Sequence, residues 1–431
     1  MRKLLKRMSP ARIIALGFAA AIFIGSGLLM LPCSVQNGVD LKYIDALYTS
    51  ASAVCVTGLV TVDIGDTFTA FGQFVVAALI QIGGLGVASM GAGVILAVGK
   101  RINLKGRRVL RDAMNLDSGK GIVKFIKSVF LTTAAFELVG AALSFIVFVR
   151  DYPPLKALGI SLFHSVAAFN NSGFDILGNF QSLSAYKEDV FLNLVTCLLI
   201  FFGGIGFLVI REIVEKRFRW RRFSMHTKVV LTMSVALTVG GAVIFRITED
   251  MPWIGALFNS VTARTAGFST YSLGEFSNAG LLAMIFLMFV ASPGSTGGGI
   301  KTSTLFALIQ GIKTAATNTS GKAFHYSVPH GVFRKASVIA VMGISVIAVG
   351  TFMLCAFEPD IAIRDALFEM TSAFGTVGLT TGITTGLCTA SKLTSIVMMY
   401  IGRLGPLTIA TLWYFTNGDR IKYPDGNIAI G

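Results

Sequence analysis

The sequence predicts an all-α membrane protein that crosses the bilayer several times, and three observations lead to this prediction. Of the 431 residues, 54% are hydrophobic and only 14% are charged, which is more apolar surface than a soluble core can bury. Long apolar stretches alternate with short basic stretches along the whole chain. A segment centred on glycine also occurs four times, which predicts four similar structural units.

The four copies of the repeat begin with a Leu-Tyr or Leu-Phe pair and end in a glycine followed by an apolar residue. The copies end at Gly58, Gly173, Gly267 and Gly378. The interval from the leucine to the glycine is one residue shorter in the third copy than in the others. Successive glycines are about 100 residues apart, a spacing that suits four units in one chain. The predicted units are 1–99, 100–223, 224–331 and 332–431.

The distribution of charge predicts how the chain is oriented in the membrane. The formal net charge is +15. Lysine and arginine cluster in residues 1–12, 100–127, 211–228 and 313–335 and in the C-terminal tail. The segments that carry the glycines contain acidic residues instead. Because basic loops remain on the cytoplasmic side, we expect both termini to be cytoplasmic and the four glycine segments to face outward. This topology explains the positive charge better than nucleic-acid binding does.

Eight stretches are apolar and long enough, or nearly so, to cross a hydrocarbon core about 30 Å thick. They are residues 12–31, 71–98, 122–149, 190–213, 227–247, 279–312, 335–357 and 393–416. An even number of crossings places both ends of the chain on one side, as the charge distribution requires.

A shorter apolar stretch precedes each glycine and is too short to cross the bilayer. We interpret it as a re-entrant half-helix, so that each unit consists of a helix, a half-helix with its loop, and a second helix. Every unit then crosses twice and the four are parallel. They can therefore surround one pore with pseudo-fourfold symmetry about the membrane normal.

Glycine at the end of each half-helix predicts an ion site built from backbone. Irregular backbone at membrane depth must line a cavity, because lipid offers its polar groups no partner. Four such loops can form a ring of carbonyl oxygens that replaces the hydration shell of a potassium-sized cation. The candidate filter residues are Val56, Thr57, Gly58, Asn171, Ser172, Gly173, Thr265, Ala266, Gly267, Thr376, Val377 and Gly378. A single glycine of this kind is more often a helix cap or a packing contact, but four aligned copies favour the filter.

Two further features lie in the second helices of the third and fourth units. Residues 291–302 (ASPGSTGGGIKT) contain four glycines and one proline, which predicts an irregular loop within the membrane. Arg403 stands in the middle of the last apolar stretch, where exposure to lipid would be costly. It therefore faces the pore or forms a structural pair with an acid or with carbonyl groups, such as those of the irregular loop. Lys301, directly after the loop glycines, is a second candidate for the same role.

The repeats resemble the membrane subunits of bacterial Ktr potassium uptake systems, within the superfamily of Trk, Ktr and plant HKT potassium transporters. The resemblance rests on residues 169–174 (FNNSGF), 256–268 (ALFNSVTARTAGF) and 372–380 (SAFGTVGLT), and extends over nearly the whole chain. Eight spans without two additional N-terminal helices resemble the Ktr branch. Glycine in all four loops resembles the potassium-selective members, whereas HKT forms with serine in the first loop are associated with sodium. The first loop, residues 56–59 (VTGL), is lower in aromatic content than the other stretches named here.

The resemblance implies a function and roles for several residues. It implies potassium uptake across a bacterial plasma membrane, with Arg403 as a pore barrier. The matching intramembrane gate consists of Gly294, Ser295, Thr296, Gly297, Gly298 and Gly299. It also implies a homodimer, with 423–431 as a candidate contact, and a cytosolic RCK-type ring that binds ATP or ADP and docks on the basic loops around Arg107 and Arg219. Sodium is a possible activator, and no cofactor is expected in this chain.

Two other classes of function remain to be compared with a potassium channel. A secondary transporter that couples potassium to sodium or protons would share the same composition and spans. An enzyme is not favoured, because no arrangement of nucleophile, base and cofactor motif is recognisable. The four histidines and five cysteines are scattered and lack metal-ligand spacing.

Overall fold

The computed structural model describes residues 9–97, 102, 104–113, 121–290, 297–319 and 321–411, and this part of the chain is mostly helical. The helices are α1 (Pro10–Leu29), α2 (Tyr43–Cys55), α3 (Ile64–Thr67), α4 (Ala70–Leu85), α5 (Val87–Ala97), α6 (Leu104–Ala113), α7 (Ile122–Phe148), α8 (Pro154–Phe169), α9 (Val190–Ile205), α10 (Phe207–Glu215), α11 (Met225–Thr248), α12 (Trp253–Thr262), α13 (Asn278–Phe289), α14 (Thr302–Thr317), α15 (His330–Phe357), α16 (Ile363–Gly375), α17 (Thr389–Leu404) and α18 (Pro406–Thr411). Between α14 and α15, β1 (Lys322–Ala323) pairs with β2 (Tyr326–Ser327) in an antiparallel ribbon.

The first helix of each predicted unit is long, continuous and apolar. These helices are α1, α7, α11 and α15, and each is long enough to cross a membrane. Serine caps explain where two of them begin, since Ser9 Oγ accepts the Arg12 amide and Ser224 Oγ accepts the Thr227 amide. Among the described residues, four helices meet the length and composition of a span, and six do if each bent pair counts as one.

The predicted second helices at 71–98, 190–213 and 393–416 each contain a break, so that each is formed by two helices, α4 and α5, α9 and α10, or α17 and α18. The breaks lie at Gly86, Gly206 and Gly405, with φ of +82°, +96° and +84°. The chain bends by 101° between α4 and α5 and by 97° between α9 and α10. Glycine adopts such positive φ readily, whereas a helix requires negative φ throughout. The break in the third unit, between α13 and α14, falls in the stretch where an irregular loop was predicted.

The four half-helices are present where the repeats predict them. They are α2, α8, α12 and α16, with 13, 16, 10 and 13 residues. The third is the shortest, in keeping with its shorter leucine-to-glycine interval. Each ends directly before its glycine loop, so the four loops start from equivalent positions.

Glycines in the second helices allow those helices to lie directly against the ends of the half-helices. A Cβ atom added at Gly83, Gly203 or Gly402 would overlap the carbonyl group of Val54, Phe169 or Phe374, respectively. Glycine commonly permits such close packing between membrane helices. The same contact recurs in α17, where Gly402 occupies the position equivalent to Gly83 and Gly203.

Candidate functional site

The four glycine loops share one backbone conformation. In each loop, the glycine and the residue two positions before it have positive φ. The earlier residues are Val56 (+58°), Asn171 (+58°), Thr265 (+95°) and Thr376 (+50°), and the glycines are Gly58 (+96°), Gly173 (+68°), Gly267 (+80°) and Gly378 (+95°). Alternation of left-handed and right-handed residues lets successive carbonyl groups point to the same side of a chain. Positive φ is unusual for the valine and the threonines, so the surrounding structure must impose it.

The loops contact one another in a closed ring. A Cβ atom added at any of the four glycines would overlap the carbonyl oxygen of the residue before the next glycine. Gly58 faces Ser172, Gly173 faces Ala266, Gly267 faces Val377, and Gly378 faces Thr57. The order therefore runs from the first loop to the fourth and back to the first. All twelve predicted filter residues lie in these loops, and all are buried.

The half-helices use the amide groups of the loops and leave the carbonyl groups available. In the first loop, the Thr57 amide donates to Ser52 O at 2.8 Å and the Gly58 amide donates to Ser52 Oγ at 3.0 Å. Ser372 accepts the Val377 and Gly378 amides in the same way, at 2.9 and 3.1 Å. Within the described part of the chain, no hydrogen bond is donated to a carbonyl oxygen of the twelve filter residues. The ring is therefore a set of carbonyl oxygens that can accept a cation.

Side chains of the third loop anchor it to its neighbours. Asn171 Nδ2 donates to Thr265 Oγ1 at 3.0 Å and so joins the second loop to the third. The buried guanidinium group of Arg264 donates to Ser234 O at 2.9 Å and to Thr238 Oγ1 at 3.1 Å on α11. The sequence contains one signal for this anchor: only the third copy has an arginine or lysine, Arg264, three residues before its glycine.

An ion pair joins the fourth unit to the first. Lys392 Nζ in α17 lies 2.7 Å from Asp45 Oδ1 in α2, and the two side chains are only 12% and 10% exposed. This pair could not be predicted from the sequence, because its residues are far apart in the chain and neither belongs to a recognisable motif. The pair holds the first half-helix against α17, where the ring of loops closes.

Two acids inside the predicted spans and half-helices are hydrogen-bonded within the protein. Glu137 accepts bonds from Gln81 Nε2 at 3.3 Å and from Asn170 Nδ2 at 2.9 Å. Glu369 accepts one from Thr380 Oγ1 at 2.8 Å. Both acids therefore position the filter region, since Asn170 adjoins the second loop and Thr380 follows the fourth.

Asp175 lies two residues beyond the second glycine, outside the spanning helices. Its Oδ1 atom accepts the Leu177 amide at 3.0 Å. The pKa of Asp175 is raised from 3.8 to about 7. Burial raises it most, the nearby carboxylates Asp63 and Asp66 add to the rise, and the bond from Leu177 opposes it. Asp63 and Asp66 themselves accept the Phe180 and Asn179 amides at 2.7 and 2.8 Å, which ties the first loop region to the second.

The predicted gate loop is described in part. Gly294, Ser295 and Thr296 lie outside the described residues, whereas Gly297, Gly298 and Gly299 lie within them. The Gly298 amide donates to Thr376 Oγ1 of the fourth filter loop at 3.0 Å. The Gly299 amide donates to Gly402 O at 3.3 Å. The end of the loop thus lies between the fourth filter loop and the residue next to Arg403.

Arg403 is paired with carbonyl groups, as one of the two sequence-based alternatives requires. Its guanidinium group donates to Gly83 O and Gly84 O at the C-terminal end of α4, the latter at 3.5 Å. These carbonyls precede the break at Gly86 rather than belonging to the gate loop. Arg403, Lys301 and Gly297–Gly299 also line one cavity of about 750 Å³. Arg403 therefore both donates to backbone carbonyl groups and lines a cavity.

Apolar helices that surround a buried ring of four backbone loops define a multi-pass membrane protein. The family model described as TrkH, cation transport protein, matches residues 8–239 and 223–420. The chain belongs to this family of cation transport proteins. It is therefore a membrane transport protein and not an enzyme.

Individual relatives agree with the family. The Ktr system potassium uptake protein B of Bacillus subtilis (strain 168) is 37% identical over 440 residues, which cover 99% of this chain and 97% of that protein. The potassium/sodium uptake protein NtpJ of Enterococcus hirae is 35% identical over 449 residues, covering 100% and 99%. The Ktr system potassium uptake protein B of Vibrio alginolyticus is 32% identical over 442 residues, covering 97% and 94%. The resemblance to Ktr membrane subunits is confirmed.

The fold is also similar to that of a solved structure. The crystal structure of the potassium transporter TrkH from Vibrio parahaemolyticus matches with a TM-score of 0.75 and 18% sequence identity, covering 95% of this chain and 86% of that one. At this identity the likeness extends to the fold alone. The two chains therefore share a mostly helical fold.

Proposed function

We propose that this chain carries potassium ions into the cell through one pore, with the ring of glycine loops as its selectivity filter. In this proposal, eight spans form four parallel units around the pore, and both termini lie in the cytoplasm. The relatives named as potassium uptake proteins support the choice of ion. The membrane is the plasma membrane of a bacterium.

The closed ring of buried loops is the observation that best supports the filter. Among the described residues, the carbonyl groups of its twelve residues accept no hydrogen bond. Burying carbonyl groups without partners is costly unless a ligand binds them. A dehydrated potassium ion is such a ligand, because carbonyl oxygens can take the place of its water molecules.

The gate is proposed to consist of Gly294–Gly299 together with Arg403. The bond from Gly298 to Thr376 connects this loop to the filter, and the bond from Gly299 to Gly402 connects it to the helix that carries Arg403. A movement of the loop would therefore change both the lower edge of the filter and the position of a positive charge in the pathway. Such a charge opposes the passage of cations.

Regulation is proposed to come from other subunits. The relatives named as Ktr proteins belong to a system, which supports the existence of partner subunits. We propose that the partner is a cytosolic RCK-type ring that binds ATP or ADP and docks near Arg107 and Arg219. A homodimer with a contact through 423–431 belongs to the same proposal, although that tail lies outside the described residues. Sodium is proposed as an activator, in line with the relative named as a potassium/sodium uptake protein.

The test is a measurement of reversal potential in proteoliposomes that contain the purified chain. Under potassium gradients at constant sodium and pH, a potassium channel gives a reversal potential that follows the potassium gradient alone. A reversal potential that follows potassium and a second ion at a fixed ratio would replace the channel with coupled transport of potassium with sodium or protons. The absence of potassium flux together with flux of another cation would contradict the proposed substrate.

Asp175 predicts a dependence of stability on pH. Its pKa is about 7 in the folded chain and 3.8 in the reference state, so the folded state holds more protons between these values. This contribution to stability is complete at low pH and is lost as the pH rises through about 7. Asp175→Asn is therefore expected to raise the melting temperature by about 1–3 °C above neutral pH. Melting curves of the two proteins from about pH 4 to 8 check this, and an equal difference at every pH would contradict it.

A further inference from the structure

The cavity below the filter is positively charged. Two cationic side chains, Arg403 and Lys301, and the imidazole of His226 line its volume of about 750 Å³, and no acidic side chain does so among the described residues. Seryl hydroxyl groups from several helices complete the polar part of its wall. Among the described residues, the side chain of Lys301 forms neither a hydrogen bond nor an ion pair. A cation-transporting protein therefore has a cavity whose charge suits an anion.

The helices that begin at this cavity strengthen its positive potential. The breaks below the filter start α5, α10 and α14 at the cavity wall, where Val87, Phe207 and Ser303 are among the lining residues. No side chain caps α10 or α14. The first amide groups of a helix lack partners within the helix, and its N-terminal end carries a partial positive charge. These ends act together with the ammonium group of Lys301 and the guanidinium group of Arg403.

Amide groups and two cationic side chains around one cavity are the donors that oxyanions prefer. Phosphate groups bind at helix N-termini beside lysine or arginine, because each oxygen can accept bonds from several directions. We propose that this cavity binds a phosphate-type oxyanion, which neutralises the positive charge on the cytoplasmic side of the filter. The bound anion would lower the electrostatic barrier that Arg403 and Lys301 present to a cation. This regulatory site rests on the proposed function, since it shares Arg403 and Gly297–Gly299 with the proposed gate.

The test is binding of inorganic phosphate to the full chain, purified in a phosphate-free maltoside detergent and stripped of lipid. Isothermal titration calorimetry is expected to show saturable binding to the wild type. Lys301→Met removes the charge and is expected to weaken binding by about tenfold or more, since a charge-assisted bond is lost. Lys301→Arg keeps the charge and is expected to restore binding. Lys313→Met, which removes an exposed charge farther along α14, is the matched control and should leave binding within about twofold of the wild type.

Each outcome decides the proposal. Equal binding to the wild type and to Lys301→Met, or no saturable phosphate binding and no retained anionic lipid, would overturn it. If the stripped protein binds no free phosphate but native mass spectrometry of unstripped protein shows an anionic phospholipid that Lys301→Met loses, the phosphate is that of a lipid headgroup. Melting curves of the variants show whether each is folded. Because binding is read directly, failure here is distinguishable from failure of potassium transport.

Discussion

Gly378→Ser is expected to reduce potassium uptake by about tenfold to 100-fold and to weaken discrimination against sodium. Gly378 has φ of +95°, and an added Cβ atom would overlap the carbonyl oxygen of Thr57 in the first loop. Holding a non-glycine residue in a rarely populated conformation costs about 1–3 kcal/mol, even before the overlap displaces the neighbouring loop. A displaced carbonyl no longer replaces water around the ion. Potassium uptake by a deficient bacterial strain, measured at several sodium concentrations, checks the result.

Gly382→Ser is the matched control for this variant. Gly382 has a similar φ of +104°, but an added Cβ atom would meet nothing within 4 Å. It therefore carries the backbone strain without the overlap on the ring. We expect its uptake to remain within about twofold of the wild type. The same substitution at Gly58, Gly173 and Gly267 should resemble Gly378→Ser, and unchanged selectivity in all four variants would refute the filter.

Lys392→Met is expected to destabilise the folded chain by about 3–5 kcal/mol, because it leaves the carboxylate of Asp45 buried without its partner. The pair lies where the first half-helix meets α17, so uptake should fall as well. Thermal unfolding in detergent, followed by the fluorescence of a thiol-reactive dye, measures the loss of stability.

The double variant Lys392→Met, Asp45→Asn separates the ion pair from simple packing. Removing both charges should recover most of the lost stability, since no unpaired charge remains buried. Arg150→Met is the control, because its pair with Asp189 at 3.3 Å is formed by a side chain that is 60% exposed and should contribute less than about 1 kcal/mol. A double variant as unstable as Lys392→Met would contradict this account.

The half-helices and their loops could be predicted because their signal is local and occurs four times. A leucine-phenylalanine or leucine-tyrosine pair, a short apolar stretch and a glycine lie together in the sequence. The breaks at Gly86, Gly206 and Gly405 were missed because glycine in an apolar stretch is compatible both with close packing and with positive φ. Three residues before each break lies a glycine, Gly83, Gly203 or Gly402, that packs closely against the end of a half-helix. One short motif therefore contains a glycine for close packing and a glycine for positive φ.

The sequence by itself determined the membrane setting, the fourfold repeat and the twelve residues of the loops, because hydropathy, charge and local motifs are properties of neighbouring residues. Only the tertiary structure decided that the loops follow one another around a ring, that Lys392 pairs with Asp45, and that Arg403 donates to the end of α4. These contacts join residues that are distant in the chain. Their formation depends on how whole units pack together, and sequence spacing carries no record of that packing.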